Sequence, residues 1–106
     1  MSPMEHPLTI AEAQKVIQTI AQLPEGVGFR GHCLMRMRQR GIDALDVVRI
    51  LKNAVMVSQA YKRDGEWRYR VVERPGNAPP ERRDVNVVVV ILDESRLHAH
   101  TVYRLR

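Results

Sequence analysis

Between Phe29 and Ile42 the chain carries four arginines, Arg30, Arg36, Arg38 and Arg40, and one histidine, His32, with no carboxylate among them. A guanidinium presents a planar fork of donors that matches phosphate oxygens, and histidine exchanges a proton near neutral pH. A helix through this stretch puts His32, Arg36 and Gln39 on one face with Arg40 at its edge. Cys33, Leu34 and Met37 lie opposite, toward a core. The chemistry open to the first face is phosphate binding beside a proton-transfer group. The same residues also suit an ordinary solvated face whose arginines meet acids elsewhere in the fold.

A second group lies near the other end, in LHAHTVYR from Leu97 to Arg104. Strict alternation points Leu97, Ala99, Thr101 and Tyr103 one way, and His98, His100, Val102 and Arg104 the other. Thr101 and Tyr103 form a hydroxyl pair able to position a phosphate. His98 and His100 have the spacing of two zinc ligands on a strand, but no third ligand is evident, and surface histidines are the plainer reading. Between these groups, Trp67, Tyr69 and Val71 alternate with Arg68 and Arg70. Such interleaving suits stacking on unpaired bases while arginines neutralise the backbone, or else the aromatics are the sheet's share of the core. Met35, Met37 and Met56 read as packing residues.

The elements that must position these groups are legible from period and punctuation. Thr9 with Glu12 forms a capping box, and Ile10, Ala13, Ile17 and Ile20 follow helical spacing, so a helix runs from Thr9 to about Leu23. It stops before Pro24-Glu25-Gly26. A second helix covers Gly31 to Arg40 and closes on Gly41 in the left-handed conformation. Asp43 caps a third, to Lys52, with Asp46 completing the box and Ile42 stapled on Val47. After Asn53 the period becomes two. Strands are expected over Val55–Tyr61 and Glu66–Glu73, joined by a tight turn at Arg63-Asp64-Gly65. Residues 74–83 form a polar, proline-rich loop. Val85–Leu92 is a central strand, Asp93–Arg96 a turn, and Leu97–Arg104 the last strand. This order predicts an α+β domain with three N-terminal helices packed on one face of a four-stranded antiparallel sheet.

At 106 residues the chain is expected to be a single domain, with residues 1–8 as an N-terminal tail. Net charge is +5, which favours a polyanionic partner. The longest apolar run, Val87 to Leu92, falls far short of the roughly 20 residues a bilayer needs. The start of the sequence has no secretory pattern, and the single cysteine, Cys33, allows no internal disulfide. A cytoplasmic protein is expected, with no membrane partner.

The order His32, Arg36-Met37, Arg40-Gly41-Ile42, Asp46-Val47 and finally Thr101-Val102-Tyr103 resembles the DUF4258 family, over about Phe29 to Arg104. That family is similar to the RelE, barnase and colicin-like nucleases, the BECR group, in which helices pack on a four-stranded antiparallel sheet. The resemblance implies an RNase toxin domain that cleaves RNA by attack of a 2′-hydroxyl, with no metal or other cofactor. Carried over residue by residue, the site is His32, Arg36, Arg40, Thr101 and Tyr103. His32 would transfer the proton, Arg36 and Arg40 hold the phosphate, and Thr101 and Tyr103 position it, with Tyr103 as a second proton donor. Arg30, Arg38, Arg68 and Arg70 are expected to contact RNA. No carboxylate near His32 offers itself as a base, and the last strand is less basic than in the ribosome-dependent toxins. A toxin of this kind implies an acidic antitoxin or immunity protein as partner. The alternative is a non-catalytic RNA- or protein-binding module on the same fold.

Overall fold

The structure, a computed structural model, describes residues 7–56, 59–73 and 85–104. Thr9 opens helix α1 (Ile10–Ala21) with the expected reciprocal box. Its hydroxyl accepts from the Glu12 N–H, and the Glu12 carboxylate accepts from the Thr9 N–H. A short strand β1 (Val27–Phe29) follows, then helix α2 (Gly31–Arg40). Gly41 ends α2 at φ 66°, where a side chain would strain the backbone. Asp43 caps α3 (Ala44–Lys52) in a second reciprocal box with Asp46, and Ile42 and Val47, on either side of the cap, are both buried.

Strands β2 (Ala54–Met56), β3 (Tyr61–Arg63), β4 (Glu66–Glu73), β5 (Val85–Ile91) and β6 (Leu97–Arg104) complete the chain. The sheet runs in the order β1-β6-β5-β4-β2, with β3 also paired on β4. The α+β class holds, but the expected four-stranded antiparallel sheet is corrected to a mixed one. Two differences account for this. β1 pairs parallel to β6, Val27 opposite Leu97 and Phe29 opposite Ala99. Three residues with a glycine among them are too few to carry an alternation signal, so this strand was hidden between turn and helix. In addition, the strand expected over Val55–Tyr61 is two short strands sharing β4. β2 pairs with its C-terminal half and β3 with its N-terminal half. The β3–β4 hairpin turns on Asp64 and Gly65, both at positive φ (52° and 78°), as a two-residue loop demands.

The core lies between the helices and one sheet face. Ile17 and Ile20 of α1, Cys33 and Met37 of α2, and Val47, Ile50 and Leu51 of α3 pack with Tyr69, Val71, Val87, Val89, Leu97, Ala99 and Val102. β5 is buried along its whole length, Asn86 included, as its nearly continuous apolar run predicts. Its other side presents Asn86, Val88 and Val90, opposite the core. β1 covers only the first half of the β6 edge. α2 lies along the rest, where Arg40 Nη1 donates to the Val102 carbonyl at 2.7 Å.

Helix α2 is turned from its expected setting. Cys33 and Met37 are buried and Arg36 and Arg40 half-buried, whereas Leu34 and Met35 are exposed, correcting their reading as core and packing residues. The inward stripe therefore follows i, i+3, i+4, i+7 from Cys33, and Leu34 falls outside it. Tyr69 is in the core, its hydroxyl accepting from the Leu8 N–H at 3.0 Å, and Trp67 packs at the core's edge. The two aromatics thus serve packing. The loop expected over residues 74–83, the first six residues of the tail and the Met56 side chain lie outside the described residues.

Candidate functional site

One irregularity creates the site. Along the β5–β6 ladder Val88 faces Thr101, yet Val89 faces Ala99, so His100 is an extra residue on β6. A bulge of this kind reverses the in–out phase of everything beyond it. Leu97 and Ala99 point to the core before it, and Val102 after it. Thr101 and Tyr103 consequently turn to the outer face, correcting their expected place beside Leu97 and Ala99. They join His100 there, along with Arg68 and Arg70 of β4.

The result is a cleft of about 450 Å³ lined by His32, Tyr61, Arg63, Asp64, Arg68, Val88, His100, Thr101 and Tyr103. His32 enters from the first turn of α2, whose start is fixed by the Arg30 N–H donating to the Ala99 carbonyl at 3.2 Å. Tyr61, Arg63 and Asp64 come from β3 and its hairpin turn. The cleft draws on segments some seventy residues apart in the chain.

Three charged side chains brace its floor. Arg30 grips both oxygens of Glu66 at 3.1 and 2.7 Å, and its Nη1 also reaches His100 Nδ1 at 2.9 Å. This forked pairing holds the Glu66 carboxyl below its ordinary range and raises Arg30 further. His100 is pushed below the usual histidine range, first by burial and then by the charges of Arg68 and Arg30. Arg68 is buried. Its Nη2 makes long contacts with Asp64 (3.4 Å) and Glu66 (3.9 Å), and its Nε is buried with no hydrogen-bond partner among the described residues. Arg68 also lines the cleft, and a guanidinium at such a surface offers donors suited to an anion. Across β5, Arg70 Nη1 donates to the Tyr103 hydroxyl at 3.3 Å, which leaves the phenol hydrogen free to point at a ligand.

Of the residues singled out in the sequence, the cleft brings together His32, Thr101, Tyr103 and Arg68, with Arg70 behind Tyr103. It does not include Arg36, Arg38 or Arg40. Arg36 is half-buried on α2, without a hydrogen bond or ion pair among the described residues. Arg38 is exposed, and Arg40 is tied to the β6 backbone. Arg30 is occupied by Glu66 and His100 rather than open to solvent. His98 and His100 diverge: the His98 ring lies over Gly28, where a Cβ would come within 2.8 Å of it, while His100 turns to Arg30. No group of three or more His, Cys, Asp or Glu among the described residues is placed to hold a metal ion. Sequence reasoning missed His100 and Glu66 as site residues. Their membership depends on the bulge and on β3–β4 curling toward α2, neither of which has a signature in local composition.

No helix among the described residues is long and apolar enough to cross a membrane. The family model described as Domain of unknown function (DUF4258) matches residues 29–104, from the last residue of β1 to the end of β6. No curated protein and no solved structure matches the chain.

Proposed function

The chain belongs to the DUF4258 family, and on that premise we propose that it is a toxin-like endoribonuclease related to the RelE, barnase and colicin-like nucleases. The observation that carries this reading is the cleft, which gathers His32 and His100, the buried Arg68 and the hydroxyls of Tyr61, Thr101 and Tyr103 in one pocket. In the proposed reaction the 2′-oxygen attacks the adjacent phosphorus and the bond to the 5′-oxygen breaks. The products are a 2′,3′-cyclic phosphate and a 5′-hydroxyl. One proton must leave the 2′-hydroxyl, one must reach the departing oxygen, and cations must meet the charge that gathers on the phosphorane.

His32, exposed at the mouth of the cleft, takes the proton from the 2′-hydroxyl. Tyr103, whose oxygen already accepts from Arg70, donates to the leaving oxygen. Arg68 holds the phosphate in place of Arg36 and Arg40, and Thr101 positions it. Such a nuclease at work in the cytoplasm needs restraint, so an acidic antitoxin or immunity protein covering the cleft belongs to the same proposal.

The test is cleavage of a generic RNA in excess EDTA by the wild type and by His32→Ala. The expected outcome is cyclic-phosphate ends and a loss of about 10²–10⁴-fold in rate for the variant, with RNA affinity retained. Full activity in the variant rejects the role of His32. Cleavage abolished by EDTA moves the chemistry to a metal. Tight RNA binding with no cleavage leaves a binding module on this fold.

A further inference from the structure

The His100 side chain offers two ring nitrogens, and one of them is spoken for in a way that decides its chemistry. A guanidinium has five donors and no acceptor. The 2.9 Å bond between Arg30 Nη1 and His100 Nδ1 therefore runs from arginine to imidazole, and Nδ1 must carry a lone pair rather than a proton. Arg30 cannot swing away freely, because both of its terminal nitrogens are held by the two oxygens of Glu66. We propose that Arg30 and Glu66 lock His100 as the neutral imidazole with its proton on Nε2, and that this N–H is a fixed donor to a phosphodiester oxygen in the cleft.

His100 on this account is neither the base nor a cation. His100 lines the cleft beside Arg68, Thr101 and Tyr103, and with Nδ1 taken by Arg30 the ring nitrogen left to meet a ligand is Nε2. Adding a second proton would have to displace the Arg30 bond and place a charge among Arg30, Arg68 and Arg63, with His32 facing it from α2. Glu66, already spent on Arg30, and the outlying Asp64 are the acids on the other side. Tyr61 and Tyr103 complete the ring, each offering a hydroxyl. Burial acts in the same direction, and His100 is held below the normal histidine range. A neutral imidazole donor can stabilise a developing oxyanion without giving up its proton, since the N–H bond stays intact. Arg30 and Glu66 are then positioning residues, and His100 is the group that touches substrate. The ligand class, a phosphodiester, rests on the nuclease reading above; the tautomer does not.

The experiment is nitrogen-15 NMR of the histidine rings in the free protein from about pH 8 to about pH 5, repeated with a 2′-O-methyl dinucleotide. That probe cannot be cleaved, and its diester keeps one negative charge throughout the range. The expected wild-type result is a His100 ring with its one proton on Nε2 at the neutral end of the range, and a second proton taken up only below the ordinary histidine value. Saturating dinucleotide shifts that N–H, and dinucleotide affinity does not rise in step with His100 protonation. In Arg30→Ala, or Arg30→Lys with its single ammonium, His100 gains its second proton at a higher pH than in the wild type, and dinucleotide affinity begins to rise toward acid. A proton on Nδ1 in the wild type overturns the lock, and that measurement requires no variant. A wild-type affinity that climbs as the pH falls, in step with His100 protonation, overturns the neutral donor. No shift at His100 under saturating dinucleotide overturns the phosphodiester assignment. Failure of RNA cleavage alone leaves the tautomer and the shift in place, so the two proposals fail separately.

Discussion

Arg40 and Val102 are joined across the boundary of α2 and β6 by a 2.7 Å bond from a guanidinium nitrogen to a main-chain oxygen. The bond falls where β1 has already ended, so Arg40 satisfies a carbonyl that the sheet leaves open. Arg40→Ala is therefore expected to lower stability by about 1–3 kcal/mol through loss of a charge-assisted bond. Its effect on RNA affinity should be no larger than that of one distant charge. Urea midpoints and salt titrations of binding separate the two. A variant with an unchanged midpoint and much weaker RNA binding would return Arg40 to the phosphate site.

Arg68 carries the opposite expectation. Its removal should weaken RNA binding for all sequences alike and reduce the slope of log affinity against log salt by about 0.7, one contact to a single strand. Arg68→Lys should restore the charge but not the forked geometry, and so recover only part of the affinity. Arg36→Ala, outside the cleft, should change affinity less than either. Equal losses at Arg36 and Arg68 would mean that RNA follows α2 and not the cleft.

Acid should destabilise the fold in two stages, because a histidine, His100, and then a set of carboxylates, among them Glu66, are lowered on folding. Unfolded His100 takes up a proton below its ordinary value of 6.5 while the folded one stays neutral. Its stabilising contribution is present above that value and lost as pH falls from there toward the lowered folded value. Glu66 is likewise lowered, by Arg30, from 4.5, so its contribution is present above 4.5 and is lost at lower pH. Thermal midpoints measured against pH should decline in both windows, and His100→Gln should abolish the upper decline alone. A wild-type midpoint that shows no decline below pH 6.5 would contradict the His100 shift, and one that shows none below pH 4.5 would contradict the Glu66 shift.

Cys33 is fully buried and its thiol is pushed up to about 11 by burial. It should resist iodoacetamide at neutral pH in the folded protein and react fully once the chain is unfolded. Mass spectrometry with and without denaturant reads this directly. Rapid native alkylation would show that α2 lifts from β6.

The helices were legible because their signals are local. Thr9 with Glu12, Asp43 with Asp46, and Gly41 each fix a terminus within a few residues, and the structure keeps all three. β1 was not legible, since Val27–Phe29 is a strand only by virtue of a partner seventy residues away. His32, Thr101 and Tyr103 do line one cleft, but not by the alternation that the sequence suggests. Perfect alternation sends Thr101 and Tyr103 to the core face, and only the extra residue at His100 turns them outward. Arg36 and Arg40 lie outside the cleft, because helical spacing defines faces without saying which one a narrow stripe of Cys33 and Met37 will bury.

The parallel pairing of β1 with β6 has a consequence for the order of events as the chain is made. Synthesis runs from the N-terminus, so His32 emerges long before Thr101 and Tyr103. Until β6 is free of the ribosome, β1 lacks its parallel partner, the Arg30 N–H has no carbonyl to meet, and the hydroxyls of Thr101 and Tyr103 are absent from the cleft. Closing so long a loop is slow compared with winding the helices. The cleft is thus among the last things this polypeptide acquires, and a nascent or prematurely ended chain without β6 carries the arginines of α2 but no site.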